Sequence, residues 1–279
     1  MILNRPIRTV VMALLLMAVA ATGRAGTTTA NLGGSVALAQ NQWDTTAIVA
    51  VSDLQFSFSP IPSGQAVFGA LLWEGCNAGN GICATYGYLD HINVGNQQAI
   101  ILGTVQDPRC QSSSACGAFV SGIGNGGLAI TLWWLPNVQG NPTTVDYVSN
   151  SGGQFLYDGT VISIFSGIPA NATVDAANGI SYAPTGAWNG PCCSDGSLTS
   201  LLVTPSQPGD FLYGVGSFYG CGPPNVSAGP GWNGSNFSTN YFGKVDEWQV
   251  YNSTSPIAAT FSTSCGGVTW AATLAIKMQ

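Results

Sequence analysis

Two glutamates are the residues of this sequence best suited to hydrolytic chemistry. Glu74 follows the apolar run "AVFGALLW", Glu247 lies in "VDEWQ", and no other glutamate occurs in the chain. Glycoside hydrolases use two carboxyl groups, one as the acid and one as the base or nucleophile. No paired acidic motif on a single strand accompanies either residue. A sandwich-fold glycoside hydrolase that uses Glu74 and Glu247 is therefore kept as an alternative hypothesis.

The single histidine offers little to nucleophilic catalysis. His91 follows Asp90 in "YLDHIN", and a Ser-His-Asp triad would have to use it. The chain has no G-x-S-x-G elbow, and neighbours on a strand point to opposite faces, so we expect Asp90 not to orient His91. The sequence therefore favours a surface histidine and a non-enzymatic protein.

The segments that partly match cofactor or metal motifs are better interpreted as turns. "GIGNGG" at 122–127 contains G-x-G-x-x-G, but the strand pattern "LAITLWWL" follows it where a dinucleotide site needs a helix. We interpret these glycines as a hairpin turn. No D-x-D-x-D calcium loop is present, and "QDP", "YDG" and "SDG" are typical of turns. The sequence predicts no cofactor and no metal.

Aromatic side chains are the remaining candidates for ligand binding, since exposed rings stack on sugars. Their alternative role is core packing, which is common for tryptophan. Trp133 and Trp134 must lie on opposite faces of a strand, and the uniformly apolar parity of "LAITLWWL" assigns Trp134 to the core between sheets. The candidates for a carbohydrate-binding surface are Trp133, Trp188, Trp232 and Tyr219.

The N-terminus and the charge balance indicate export. Arg5 and Arg8 precede an apolar run that ends in small residues, so residues 1–25 are predicted to be a signal peptide cleaved after Ala25. Beyond residue 25 only three cationic residues stand against 12 acidic ones, which argues against nucleic acid as a partner. No later segment is long and apolar enough to span a membrane. We expect a secreted, extracellular or cell-surface protein.

Eight cysteines form an even set after the predicted signal peptide, and disulfides are the default in an exported chain. The spacing suggests two local pairs, Cys76 with Cys83 and Cys110 with Cys116. The other four would join loops in a connectivity that the spacing leaves open: Cys192, Cys193, Cys221 and Cys265.

Five N-x-S/T sequons mark positions that are exposed if the protein is a glycoprotein. All of them lie in the second part of the chain, on segments predicted to be loops or strand ends. The acceptor candidates are Asn171, Asn225, Asn233, Asn236 and Asn252.

Period-two apolar alternation dominates the chain, and Gly, Pro, Asn and Asp separate the runs. "LQFSFSP" alternates Leu54, Phe56 and Phe58 with polar residues, whereas "AVFGALLW" is apolar on both parities, which suits a sheet covered on both faces. No internal repeat is evident. The pattern predicts an all-β protein with a single large β-sandwich, jelly-roll or immunoglobulin-like, and disulfide-clipped loops. We expect a flexible lead-in at 26–42 and the sandwich at 43–279.

The order of these segments resembles secreted prokaryotic β-sandwich proteins of adhesin-like or surface type. The resemblance is carried by "LAITLWWLPNV", "TVISIFSGI", "TPSQPGDFLYGVGSF" and "VTWAATLAIK", and it covers about residues 45–277. The cysteine-bearing insertions depart from that pattern. The resemblance implies the sandwich fold and carries over no catalytic residue. The export signal, the cysteine set, the low charge, the strands that are apolar on both parities and the lack of a catalytic motif together favour a non-enzymatic role in adhesion or as a subunit of an extracellular filament, with other copies of the chain or surface glycans as partners.

Overall fold

The described part of the chain consists of β-strands and turns. The computed structural model describes residues 36–44, 49–75, 89–106, 119–120, 123–124, 128–150, 153–176, 181–182, 196–219, 226–238, 242–263 and 268–278. These residues contain no helix, so none of them forms a helix long and apolar enough to cross a membrane. The prediction of an all-β protein is confirmed.

Among the described residues, twelve strands lie in the first half of the chain, between residues 36 and 166. They are β1 (Ala37–Asp44), β2 (Val49–Val51), β3 (Asp53–Ser57), β4 (Ala66–Gly75), β5 (Leu89–Val94), β6 (Gln97–Gln98), β7 (Ile100–Gln106), β8 (Phe119–Val120), β9 (Ile123–Gly124), β10 (Leu128–Leu135), β11 (Thr144–Ser149) and β12 (Phe155–Ser166).

The described part of the second half, between residues 173 and 278, contains nine strands. They are β13 (Thr173–Ala176), β14 (Ser181–Tyr182), β15 (Gly196–Thr199), β16 (Asp210–Tyr219), β17 (Val226–Ala228), β18 (Asn233–Ser238), β19 (Phe242–Tyr251), β20 (Thr260–Thr263) and β21 (Val268–Lys277).

The strands pair antiparallel into two sheets in each half. The first inner sheet has the order β1-β12-β4-β10-β7, with β2 also on β12, and the first outer sheet has the order β3-β11-β5-β6. The second inner sheet has the order β13-β21-β16-β19-β18, with β14 also on β21, and the second outer sheet is β15-β20-β17. The small β8–β9 pair stands apart from these sheets.

Three buried clusters hold the four sheets together as a stack. Phe68, Trp134 and Phe165 of the first inner sheet pack against Phe211 and Tyr213 of the second inner sheet. The opposite face of the first inner sheet packs on the first outer sheet, and the second inner sheet packs likewise on the second outer sheet. Both inner sheets are therefore covered on both faces, which explains strands that are apolar on both parities.

The parity prediction for the tryptophan doublet is confirmed in the same layers. Trp134 is 1% exposed and lies between the two inner sheets. Trp133 is 0% exposed and lies between the first inner and first outer sheets. The two rings belong to two layers of packing because successive strand residues point to opposite faces.

The strand pairing of the first half recurs in the second half. β4 lies between β12 and β10, as β16 lies between β21 and β19. β1 and β2 pair with β12, as β13 and β14 pair with β21, and β7 borders β10 as β18 borders β19. β11 lies between β3 and β5, as β20 lies between β15 and β17. The chain therefore contains a structural repeat that its residue types do not reveal.

The turns that lead into the two central strands match as well. Gly64 has a φ of 87° and Gly209 a φ of 91°, a left-handed conformation that favours glycine; Gly64 lies two residues before the start of β4 and Gly209 one residue before the start of β16. Counting from these glycines, Gln65 matches Asp210 and Gly69 matches Gly214. The cross-strand register then matches Trp133 with Glu247 and Trp134 with Trp248.

The start of the chain requires one correction. Residues 37–42 were expected to belong to a flexible lead-in, but they form most of β1 and pair with β12. The reason is burial, because Val36 and Leu38 are each 1% exposed between the inner sheets. Residues 1–35, with the predicted signal peptide and the rest of the lead-in, lie outside the described residues.

Candidate functional site

The predicted ligand-binding tryptophan Trp133 is a core residue. Its indole N–H donates to the hydroxyl of Tyr147 at 3.2 Å, and the two rings meet edge to face at 6.0 Å. The hydroxyl of Tyr147 in turn lies 2.6 Å from that of Thr160. Because the ring is fully buried, it presents no surface to a sugar, which corrects its candidacy for ligand binding.

The other aromatic candidates are distributed over the second half. Trp232 is half-buried and packs against the buried cluster of the second outer sheet and against a smaller cluster of Val203, Leu212 and Ala275. Tyr219 ends β16, and its side chain lies outside the described residues, as does all of Trp188. Trp232 is therefore the one ligand candidate whose ring the structure describes as partly accessible.

His91 and Asp90 contact each other, contrary to the expectation from strand alternation. His91 Nδ1 lies 2.9 Å from Asp90 Oδ2, and both side chains are partly exposed. The register between β11 and β5 shifts at this point, because Val148 pairs with His91 and Ser149 with Leu89. The resulting bulge at Asp90 breaks the alternation and brings the two side chains together. No hydrogen bond of the described residues joins His91 to a serine.

The sequon asparagines that are described lie at turns or on β18. Asn171 and Asn252 are exposed next to strand ends. The side-chain amide of Asn233 donates to the carbonyl of Trp248 at 3.3 Å, and that of Asn236 donates to the carbonyl of Val226 at 3.0 Å. Asn225 and all eight cysteines lie outside the described residues.

The two glutamates are assigned to different layers. Glu247 is 0% exposed and lies between the second inner and second outer sheets. Its Oε2 accepts from the backbone N–H of Gly229 at 2.7 Å and its Oε1 from that of Thr260 at 2.9 Å. Glu74 lies on β4 of the first inner sheet, and its side chain is outside the described residues. The second inner sheet itself lies between β4 and the side chain of Glu247.

Glycines make room for the carboxyl group of Glu247. A Cβ built on Gly214 would lie 2.6 Å from the Ala259 Cβ and 3.1 Å from the Glu247 Cγ. A Cβ on Gly229 would lie 2.0 Å from the Thr260 Oγ1. Burial in this tight interface raises the pKa of Glu247 to about 8, although the two backbone hydrogen bonds act in the opposite direction.

A second buried carboxyl group, Asp246, lies between the two inner sheets. It accepts hydrogen bonds from the hydroxyls of Ser163 and Ser235 and, at 3.3 Å, from the side-chain amide of Asn41. Asn41 also donates to Ser163 at 2.7 Å. Burial raises the pKa of Asp246 to about 6, although the two serine hydroxyls lower it. This group joins β19 to β1 and β12 across the interface.

A third carboxyl group, Asp210, is buried at the start of β16 beside Asp175 of β13. Neither Asp210 oxygen has a well-aligned hydrogen bond within the described residues, and both lack solvent exposure. Burial, followed by the adjacent Asp175 carboxylate, raises the pKa of Asp210 to about 6. Burial also acts to raise the pKa of Asp175, but hydrogen bonds from the hydroxyl and the backbone N–H of Ser206 lower it overall.

Of the three buried carboxyl groups, the sequence pattern pointed only to Glu247; Asp246 and Asp210 were not predicted as candidates. They do not converge, because Asp246 and Glu247 point to opposite faces of β19 and Asp210 lies at the far end of β16. Among the described residues, no three His, Cys, Asp or Glu side chains form a group that could hold a metal ion. The described carboxyl groups with raised pKa values, Asp210, Asp246 and Glu247, are therefore separate buried positions and form no common cluster.

Comparison with known proteins adds no relative. No family model, no curated protein and no solved structure matches the chain.

Proposed function

We propose that the protein is a secreted, disulfide-stabilised β-sandwich with a non-enzymatic role at or outside the cell surface. That role is adhesion or membership of an extracellular assembly, with other copies of the chain or surface glycans as partners. The N-terminal sequence pattern and the even cysteine set support export and disulfide clipping of the loops. The four-sheet stack, continuous through its buried clusters, supports one sandwich unit.

The observation that carries the assembly form of this proposal is the edge strand β7. It ends the order of the first inner sheet, and its first two residues, Ile100 and Ile101, are 48% and 39% exposed. An edge strand can accept a further strand through its backbone groups, and exposed apolar side chains favour such pairing. No charged residue occurs between residues 92 and 106 to oppose it.

Sedimentation of the mature protein over a range of concentrations tests the assembly form. We expect reversible self-association that Ile101→Lys weakens, because a lysine on an edge strand blocks strand addition. Leu201→Lys is the matched control, since Leu201 is 53% exposed on a loop rather than on a strand. A wild-type protein that stays monomeric at every concentration would exclude assembly through β7.

Export and disulfide formation have a separate test. We expect the exported protein to begin at Gly26 and to resist alkylation until it is reduced. An N-terminus that retains residues 1–25, or thiols that react without reduction, would contradict the secreted, disulfide-stabilised form. Intact-mass spectrometry measures both properties in one experiment.

Glycan binding is the second candidate function, and the partial exposure of the Trp232 ring favours it. Retention on insoluble polysaccharides that Trp232→Ala abolishes would support this role. If the protein is retained on none of a mixed set of glycans, glycan binding is excluded and the assembly role is left. The structure offers no support for the glycoside hydrolase alternative, because Glu247 is 0% exposed and the second inner sheet lies between its side chain and β4, which carries Glu74.

A further inference from the structure

The second outer sheet is fastened to the second inner sheet by few groups. Its buried cluster holds six residues: Leu198, Val226, Val245, Ala259, Phe261 and Ala271. Three further buried residues, Val203, Leu212 and Ala275, form a small cluster on the same face of the inner sheet, whereas the corresponding cluster of the first half holds 17 of the described residues. The three strands of the second outer sheet are only three or four residues long. Its attachment therefore depends more on individual polar contacts than that of the first outer sheet.

Three sets of polar contacts cross this interface in the described residues. Two are neutral: the hydroxyl of Thr273 on β21 accepts from the backbone N–H of Ala259 at 3.0 Å and lies 2.5 Å from the hydroxyl of Ser200, and the side-chain amide of Asn236 on β18 donates to the carbonyl of Val226 on β17 at 3.0 Å. The third is the carboxyl group of Glu247, which accepts from Gly229 and Thr260. Only the Glu247 contact changes its charge with pH.

The side chain of Glu247 lies at the end of the β17–β20 pairing. Ala228 and Phe261 are the last paired residues, and the next residues at that end are Gly229, after Ala228, and Thr260, before Phe261. Their N–H groups both point to the carboxyl group of Glu247. One side chain of the inner sheet thus holds two strands of the outer sheet at the point where those strands separate.

No described cation balances a charge at this position. The groups packed around the Glu247 side chain are Gly214, Gly229, Ala259 and Thr260, which are uncharged. Asp246 is adjacent on β19 and adds a like charge that raises the pKa of Glu247 further. Gly214 of β16 pairs with Glu247 on one side and with Thr273 of β21 on the other. Lys277 lies four residues beyond Thr273 on β21, so it is not paired at the level of Glu247. An ionised Glu247 would therefore remain desolvated while the interface is closed, with two backbone N–H groups but no described cation to balance its charge.

We propose that ionisation of Glu247 releases the second outer sheet, so that the second half of the chain opens when acidic surroundings become alkaline. Release gives water access to the carboxylate and exposes the apolar inner face around Phe261. The neutral contacts of Thr273 and Asn236 do not titrate and act as the remaining polar attachments. The first half carries Trp133 at the matched position, so its outer sheet does not respond. This inference is independent of the proposed surface role.

Hydrogen–deuterium exchange of the full chain at about pH 5 and about pH 8.5 tests the proposal, with rates corrected for intrinsic exchange. We expect protection of β15, β17 and β20 to fall at least about tenfold at the higher pH. Protection of β3, β11 and β5 should stay constant. Equal protection at both values, or a uniform loss in both outer sheets, would overturn the proposal.

Variants identify the responsible group. Glu247→Gln cannot ionise and still offers an acceptor, so the pH effect on β15, β17 and β20 should disappear. Asp146→Asn changes a carboxyl group of the first half that accepts from Gln55 at 2.7 Å, and it should keep the wild-type response. Asp246→Asn should keep most of the response. A Glu247→Gln protein that still opens, or an Asp246→Asn protein that does not, would refute the role of Glu247.

Discussion

The two halves of the chain share one strand-pairing pattern but differ in the residues at matched positions. Trp133 of β10 pairs with Gly69 of β4 in the first half, and Glu247 of β19 pairs with Gly214 of β16 in the second half. One residue earlier on the same strands, Leu132 matches Asp246. The first half fills its interfaces with apolar side chains, whereas the second half buries carboxyl groups in them.

The strand ends and edges differ in the same direction. A bulge follows Leu38 in β1 and Val174 in β13, and the bulged residues are Ala39 and Asp175. The exposed Ile100 and Ile101 of edge strand β7 match Asn233 and Gly234 of edge strand β18, within a sequon. A shared backbone pattern therefore supports a first half whose described interfaces contain no buried carboxyl group and a second half whose interfaces contain three, Asp210, Asp246 and Glu247.

The largest effect is expected from the aromatic half. Trp133→Ala should lower the free energy of unfolding by about 3–5 kcal/mol, because it leaves a large cavity and removes the partner of Tyr147. Urea denaturation measures the loss. Trp232→Ala is the control and should cost less, since that ring is only half-buried. Equal losses in the two variants would contradict the core role of Trp133.

The titratable half should make the protein less stable as pH rises. The pKa values of Asp246 and Glu247 are raised from 3.8 to about 6 and from 4.5 to about 8, so the folded state binds protons that the unfolded chain releases. Stability is therefore fully present below about pH 4 and declines up to about pH 8, by a few kcal/mol. Denaturation at several pH values measures this. A rise in stability over that range would exclude it.

Removing the acceptor between the inner sheets should have an intermediate effect. Asp246→Ala leaves the donors Asn41, Ser163 and Ser235 without their shared carboxyl group. We expect a loss of about 2–3 kcal/mol in the free energy of unfolding at pH 5. Asp53→Ala changes an exposed carboxyl group of the first half and should stay within about 0.5 kcal/mol. Indistinguishable values would show that the network contributes nothing.

The smallest effect is expected at the bulge of β13. Asp175→Ala gives this position the residue found at the matched bulge of β1 and removes the contacts to Ser206. The loss should be about 1 kcal/mol at pH 7. The pKa of Asp210 should fall at the same time, because its neighbouring negative charge is gone. NMR titration of the Asp210 carboxyl carbon measures that shift. An unchanged pKa would show that Asp175 does not influence the ionisation of Asp210.

Local patterns were enough to predict which faces of individual strands are buried. The alternation of Leu54, Phe56 and Phe58 and the opposite faces of Trp133 and Trp134 both follow from the period of two. The covering of both faces of β4 was also predicted. The identity of the cover was not, because an outer sheet is made of strands distant in sequence.

The candidate site was less predictable than the fold. Glu247 stood out by residue type, but Asp246 and Asp210 resemble ordinary polar residues in a strand and a turn. Their significance comes from burial, which depends on the sheet packed above them. The contact between Asp90 and His91 was also missed, because a bulge that breaks strand alternation depends on the register with β11.

The amino-acid sequence determined the all-β class, the parity of the strands and the turns at Gly64 and Gly209, since these depend on neighbouring residues. Tertiary structure alone decided the repeat and the fate of the carboxyl groups. Matched positions such as Trp133 and Glu247 share a backbone register but no side-chain chemistry. A repeat maintained by backbone hydrogen bonds therefore leaves only scattered residue matches, such as Gly69 with Gly214 and Trp134 with Trp248. A carboxyl group acquires a raised pKa only when a second sheet removes its water.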